Sequence, residues 1–591
     1  MEKYLEKVEK IGFYMKKRNE SKKTFRWLGE IIEKKKRYIV LLCVCQMYIG
    51  ISSVLSALAL RSLIDRAVAG DKNGFLQWAI LFAGILLVQI LVRAGIRFGE
   101  EFTRADLENA CKHRLFEALL IGDYASVSGK HSEEWMNRLT SDTVVTADGL
   151  VQILPGILCM LVRMGGAFAA ILVLEVRLAY ILLPGAAILI FTTYGFRKVL
   201  KEMHKRIQET DGKLRIFMQE HLASLMIVKT FAKEKSSLAE ADEKMKAHKR
   251  ARMKRNHFSN VCNMGFAAAM NGVYFLGAVF CGYGILQGTV SYGTFVAITQ
   301  LIGQVQNPLA NISGYLPKYY AMIASSERLM EAEEFETDVL EKKSKKEIEN
   351  FYKETFQEIG MCGAFFSYPD NAAVKEDTNS ICNQSVLKNL NLTIKKGEYI
   401  AFTGASGCGK STLLKLLMCL YPLDGGKRYL KGKDNDSFLS LDSSWRGLFA
   451  YVPQGNQLMS GTIREIICFS DEKNMQQEKK LVQALKIACA DEFVLSLENG
   501  VDTVLNERGQ GLSEGQIQRI AIARAIFSER PILLLDEATS SLDEATERKV
   551  LHNLREMTDK TVLIVTHRMA VLEICDKQVH MSEAGVEIVR K

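Results

Sequence analysis

Apolar residues along this chain change their pattern about halfway. Up to about residue 325 they gather into long uninterrupted runs; beyond about residue 350 they form short blocks separated by polar stretches. A bilayer core takes about 20 mostly apolar residues as a helix. Six runs come near that length: Ile39–Leu60, Phe75–Val92, two inside Val151–Leu200 divided by the charges of Glu175–Arg177, one around Val261–Leu286 and one around Phe295–Ile323. The last is broken by Gln300, Gln304, Gln306 and Pro308. The pattern predicts a transmembrane domain over 37–325, with helices at about 38–62, 75–98, 148–174, 178–200, 260–287 and 293–323.

Charge orients these helices. The segment Arg197–Arg255 holds seventeen Lys and Arg, and the connection from about Arg97 to Asp148 is also long and charged. The other connections are short, and "QGTVSYG" between runs five and six has no charge. Basic connections stay on the cytosolic side, so both chain ends are expected there, with residues 1–36 as a cytosolic elbow lacking the apolar core of a signal peptide. The long connections are rich in helix formers and read as membrane helices continuing into the cytosol. A second role for Arg197–Arg255, binding anionic lipid, stays open. The net charge of +9 gathers beside apolar runs, which points to a membrane surface rather than to nucleic acid. The thirteen cysteines form no CxxC pair and no metal-ligand spacing; they read as buried thiols in a reducing compartment.

A charged, aromatic-poor stretch, 326–350, reads as a linker. After it the period changes. "YIAFTG" (Tyr399–Gly404), "LFAYVPQ" (Leu448–Gln454), "PILLLDE" (Pro531–Glu537) and "TVLIVTH" (Thr561–His567) alternate with helical stretches. That alternation predicts parallel strands with crossover helices, an α/β domain over 351–591.

Two of these strands run into chemistry. "GASGCGKST" places Gly404, Ala405, Ser406, Gly407, Cys408, Gly409, Lys410, Ser411 and Thr412 between a strand and a leucine-rich helix. This is the G-x-x-x-x-G-K-[ST] phosphate loop in the setting it requires. Its glycines let backbone N–H groups turn inward, and the helix start adds its dipole. Lys410 is placed for the β- and γ-phosphates, and the Ser411 hydroxyl for Mg²⁺. "PILLLDE" ends in Asp536, a Mg²⁺ ligand candidate, and Glu537, a candidate base for the attacking water. A strand that merely ends in solvated acids is the plainer alternative, and the preceding phosphate loop weakens it.

"GLSEGQIQRIAIARAI", Gly511–Ile526, completes the set. With the two motifs above it resembles the ATP-binding cassette family, whose LSGGQ signature stands here as Leu512, Ser513, Glu514, Gly515 and Gln516. Glu514 departs from the family's glycine. The resemblance implies further sites. Tyr368 would stack on adenine. Gln454 would touch Mg²⁺ and signal to the membrane half. "NERG" (Asn506–Gly509) resembles the loop ahead of the signature, Ser540–Asp543 the D-loop, and His567 the switch histidine. Ser513, Gly515, Gln516 and Asp543 are then expected at the nucleotide. Catalysis would fall to Glu537, His567, Lys410 and Gln454, and the metal to Ser411, Gln454 and Asp536.

Six membrane helices ahead of one cassette resemble an exporter-type (type IV fold) half-transporter: a multi-domain membrane protein with an all-α six-helix domain followed by an α/β P-loop NTPase. The resemblance implies ATP and Mg²⁺ as cofactors, no nucleic-acid partner, and export by alternating access across a cell membrane of bacterial type. It implies coupling helices near Asp123–Ser132 and near Phe217–Ser224. It also implies a second half-transporter, because one cassette supplies only half of each ATP site. The intact motifs favour a homodimer, and the Glu514 departure keeps a heterodimer open. Import of metal–chelator complexes on the same fold, and an ATP-gated channel or sensor, are the alternatives.

Ionisable residues inside membrane helices are functional candidates. Arg163 lies twelve residues before Glu175, which puts it ~18 Å from the outer edge at 1.5 Å per residue. It either faces a cavity for an anionic substrate or pairs with a neighbouring helix. Gln300 and Gln304 share a helix face and join it as substrate candidates, with Asn311 seven residues on; hydrogen bonding between helices is their other use. Arg93 sits where a side chain snorkels.

Overall fold

The computed structural model describes residues 22–33, 35–338, 342–368, 385–433, 438–455, 458–470, 477–506, 509, 511–557, 559–582 and 585–590. Side chains are not described for 179–198, 201, 309–313, 585–586 and 589–590, so Asn311 lies outside them, as do two residues of "NERG", 507 and 508. The chain divides into two compact units. One comprises Met1–Arg114 with Asn137–Met330, the other Leu115–Met136 with Glu331–Lys591.

The first unit is helical. In chain order the helices are α1 (Lys36–Val68), α2 (Lys72–Ile121), α3 (Tyr124–Ser128), α4 (Thr143–Leu174), α5 (Ala179–Ala223), α6 (Leu225–Thr230), α7 (Glu234–Leu286) and α8 (Tyr292–Glu331), of which α3 belongs to the second unit. Helix α2 has 50 residues and α7 has 53. At 1.5 Å per residue each is ~75–80 Å long, more than twice the ~30 Å hydrocarbon core, so each continues far beyond the membrane. Among the described residues four helical stretches are long and apolar enough to cross a bilayer: Lys36–Val68, Lys72–Ile121, Ser132–Leu174 and Glu234–Leu286.

Lipid gives no hydrophobic drive between helices, so close packing of small residues holds them. Helices α1 and α4 meet in this way. A Cβ on Gly50 would stand 3.0 Å from the Cys159 carbonyl oxygen and 3.2 Å from the Arg163 nitrogen. Val54, Ala57, Ala167 and Ile171 continue the contact and join Cys281, Ile298, Leu301 and Ile302 from α7 and α8. At the start of α4 the buried Asp142 accepts from Arg328 Nε at 2.7 Å, Arg328 Nη2 at 2.5 Å and Ser325 Oγ at 3.0 Å. Arg138 Nη1 donates to the Arg328 carbonyl at 2.7 Å. This network fixes the last turns of α8 against α4.

In the second unit, the expected linker 326–350 is helical at its two ends. Helix α8 runs to Glu331, and Lys345–Asn350 forms a turn with a Ser344/Glu347 capping box and Ile348 buried in the core. The strands are β1 (Phe356–Phe366), β2 (Leu387–Lys395), β3 (Tyr399–Gly404), β4 (Gly425–Gly432), β5 (Leu439–Ser440), β6 (Phe449–Val452), β7 (Ile532–Asp536), β8 (Thr561–Val565), β9 (Lys577–Ser582) and β10 (Gly585–Arg590). An antiparallel sheet has the order β2-β1-β4-β5; a six-stranded sheet has the order β10-β9-β3-β8-β7-β6, parallel except for β10. Parallel sheets are covered on both faces, which is why every residue of β7 and β8 is buried. Three helices matter below: α9 (Lys410–Leu417), α10 (Glu514–Phe527) and α11 (Glu544–Arg555).

The Asp142 network predicts an asymmetry. Arg328 is about half exposed while Asp142 is buried. Arg328→Ala leaves a buried carboxylate without its cation and is expected to cost about 2–4 kcal/mol. Asp142→Ala leaves a cation that water can reach and should cost less. Thermal unfolding of both variants in the same detergent measures the order.

Candidate nucleotide site

The strand order assembles the site. β8 lies between β3 and β7, and β6 flanks β7. All four are parallel, so their carboxyl ends lie side by side, where ligands of such sheets bind. The phosphate loop leaves β3, His567 follows β8, Asp536 and Glu537 end β7, and Gln454 follows β6. Residues spread over 163 positions of sequence, from Gly404 to His567, thereby meet at one edge.

The loop has the conformation its glycines suggest. Gly404, Gly407 and Gly409 have φ of 139°, 85° and 97°, values that side chains rarely adopt. A Cβ on Gly404 would lie 2.1 Å from the Met581 carbonyl oxygen. Lys410 is buried, and its Nζ donates to the carbonyls of Gly404 at 2.9 Å and Ala405 at 2.8 Å. The ammonium is thus folded back over its own loop. Ser411 Oγ donates to Asp536 Oδ1 at 2.8 Å, uniting the two proposed metal-binding groups.

Asp536 is buried, and burial lifts its carboxyl above the usual range, against hydrogen bonds from Ser411 and Tyr451. Tyr451 OH donates to Oδ2 at 3.2 Å, and burial, then the Asp536 charge, pushes that phenol up. Glu537 has φ of 49°, a strained value for a side-chain residue, with its N–H bonded to the Val565 carbonyl at 3.0 Å. This conformation turns its carboxylate to Gln454 Nε2 at 2.7 Å and to His567 Nε2 at 3.8 Å. Tyr368 OH shares a hydrogen bond with Thr412 Oγ1 at 2.9 Å, and its half-open ring packs edge-on against Tyr421 at 5.3 Å.

The signature residues form a second group. Ser513 caps α10 in a capping box with Gln516. Gly515 lies under the D-loop: a Cβ there would stand 2.9 Å from the Ser541 carbonyl oxygen. Ser541 Oγ donates to Glu514 Oε2 at 3.2 Å; Gln518 bonds Ser541 N at 3.0 Å and Ser540 Oγ at 3.1 Å. Asp543 caps α11 through Thr546 N at 2.9 Å, and that backbone hydrogen bond holds its carboxyl below the usual range. Arg568, next to His567, donates to the Ser540 and Leu542 carbonyls and to the buried Glu547 at 2.9 Å. No described hydrogen bond joins Ser513, Gly515 or Gln516 to the phosphate loop.

Three participants escaped the sequence reading: Tyr451, Gln518 and Arg568. Tyr451 is on β6, three residues before Gln454, and Arg568 adjoins His567; both were hidden because their partners, Asp536 for Tyr451 and Ser540, Leu542 and Glu547 for Arg568, are distant in sequence.

The comparisons with known proteins fit this geometry. A family model described as ABC transporter matches residues 387–540, and one described as ABC transporter transmembrane region matches 39–309. The chain belongs to the ABC transporters. It is therefore a multi-pass membrane protein whose cassette is of the ATP-binding, ATP-hydrolysing kind. With one cassette behind one membrane domain it has half-transporter architecture, which calls for a second half. It is 27% identical over 555 residues to an ATP-dependent lipid A-core flippase of Syntrophus aciditrophicus, covering 90% of this chain and 86% of that protein. It is 28% identical over 526 residues to a putative multidrug export ATP-binding/permease protein of Staphylococcus aureus, covering 86% of each. It is also 28% identical to ABC transporter B family member 1 of Dictyostelium discoideum, of which it spans 50%. The structure of a bacterial Atm1-family ABC exporter with ATP bound matches the fold with a TM-score of 0.74 at 20% identity, over 93% of this chain and 94% of that one. These relatives favour export over import.

Glu514, the one departure from the family signature, thus ties the signature helix to the D-loop. Glu514→Ala is expected to lower ATP turnover ~2- to 10-fold, as an exposed hydrogen bond of about 0.5–1.5 kcal/mol allows. Ser541→Ala should do the same and the double variant no more, a coupling that a double-mutant cycle on ATPase rates measures.

Proposed function

We propose that this ABC transporter is a homodimeric exporter that hydrolyses ATP with Mg²⁺ at two composite sites and drives a substrate out of the cytosol. The observation that carries this is the convergence of Lys410, Ser411, Asp536, Glu537, Gln454 and His567 at one sheet edge, while the signature residues Ser513, Gly515 and Gln516 stand apart at the start of their own helix. A site split in this way within one chain is completed by a second copy. Both halves of the chemistry are present, so the two copies need not differ.

Roles follow from position. Ser411 and Asp536 already share a hydrogen bond and fit a Mg²⁺ ion, which neutralises phosphate charge when bound. Lys410 leaves its loop carbonyls for the phosphates. Glu537 takes the proton of the attacking water, with His567 and Gln454 holding its two oxygens. Tyr368 offers a half-open ring to adenine. The relatives whose names include export or flippase support the direction, and the basic connections support a cytosolic cassette in a bacterial-type cell membrane.

Glu537→Gln keeps the shape and hydrogen bonding of the side chain and removes its basicity. It should leave ATP binding within ~3-fold and reduce turnover by ~10²-fold or more. Nucleotide binding and phosphate release on the reconstituted protein measure both. ATP-driven accumulation in inverted vesicles tests direction; loss of preloaded substrate from them would establish import.

A further inference from the structure

The substrate class is written into the membrane half. We infer that the exported molecule presents an anionic group, phosphate or carboxylate, to Arg163; this rests on the transport reading above. Arg163 is on α4, twelve residues before Glu175, ~18 Å from its outer end. Its Nε is buried with no hydrogen-bond partner, and no described ion pair engages its guanidinium.

Within the apolar runs no acid answers Arg163. None of the six apolar runs contains Asp or Glu. This holds equally for a second copy, so dimerisation brings no carboxylate to that depth either. The nearest acid along α2, Glu100, is seven residues toward the cytosolic end from Arg93 and accepts from Gln46 Nε2 at 3.2 Å. The polar side chains of α8 are no substitute: Gln304 is buried and donates to the Ser53 carbonyl at 2.8 Å, so it joins α8 to α1, while Gln300 is exposed. A membrane-buried guanidinium with no internal counter-charge is kept where a transient ligand supplies one, and its planar fork suits phosphate and carboxylate. The anion comes either from a bilayer lipid headgroup or from a soluble amphiphile.

The test uses the full protein in nanodiscs. In phosphatidylcholine discs, dodecyl phosphate should stimulate ATP turnover several-fold, while dodecyltrimethylammonium and dodecyl maltoside should not. Arg163→Gln should abolish that preference and Arg163→Lys should keep part of it. In discs containing phosphatidylglycerol, stimulation without added amphiphile that Arg163→Gln removes assigns the anion to the lipid. Equal effects of the three headgroups, no effect of either anionic source, or an intact preference in Arg163→Gln would overturn the inference. So would a ligand-free Tm for Arg163→Gln more than ~5 °C below wild type, since a helix-bracing arginine would stabilise the fold. Glu537→Gln in the same discs separates the two readings: turnover surviving that change sinks the engine, whereas lost headgroup preference with a live engine sinks only the anion.

Discussion

The insertion of β8 between β3 and β7 is the constraint on which the cassette's chemistry depends. It spaces the phosphate loop from the Asp536–Glu537 pair by one strand and aligns their ends. A slip of β7 by one residue would turn Asp536 to the opposite face, and the Ser411–Asp536 hydrogen bond would go with it. The register is held by burial: β3, β7 and β8 place apolar side chains on both faces, against two separate cores. The dense packing that supports the sheet also excludes water from Asp536, which is why its carboxyl is pushed up and why Ser411 and Tyr451 each donate to one of its oxygens.

Around that edge the hydrogen bonds divide into two groups that Arg568 and Glu537 connect. Glu537 faces Gln454 and His567, and its carbonyl begins the turn that becomes the D-loop through Ser540 N at 3.1 Å. Arg568 joins the residue after His567 to the D-loop carbonyls. The D-loop in turn lies across Gly515 and binds Glu514 and Gln518. The signature helix and Glu537 are thus joined through the D-loop by a continuous set of hydrogen bonds.

An aromatic series leads from the nucleotide side to a membrane connection. Tyr368 packs edge-on against Tyr421, and Tyr421 packs edge-on against Tyr124 of α3 at 5.6 Å, with Ser128 Oγ 3.2 Å from the Tyr421 hydroxyl. The backbone of Gly122 pairs with Thr337, and Asp123 caps α3 through Ser126 N. The connection between the second and third membrane helices thus folds as part of the cassette unit. Just after the expected second coupling segment, Phe217–Ser224, Met226 of α6 is 83% exposed and Phe231 at its end is 69% exposed, an apolar tip of the sort that marks an interaction site.

Much of this was legible in one dimension. Hydropathy runs long enough for a bilayer, the basic bias of two connections, and the phosphate loop, Asp536–Glu537 and signature motifs each depend on residues within ~20 positions of one another, so local order alone displays them. The absence of any acid from the apolar runs is likewise a fact of sequence. Tertiary structure decided what depends on distant neighbours. It gave Glu514 a partner 27 residues away and Tyr451 a partner 85 residues away. It turned Gln304 from a cavity-lining candidate into a hydrogen bond to Ser53 across 251 residues. It also moved Leu115–Met136 from the membrane half to the cassette unit. Hydropathy records only how strongly each side chain avoids water; which other group satisfies it is settled when the chain closes on itself.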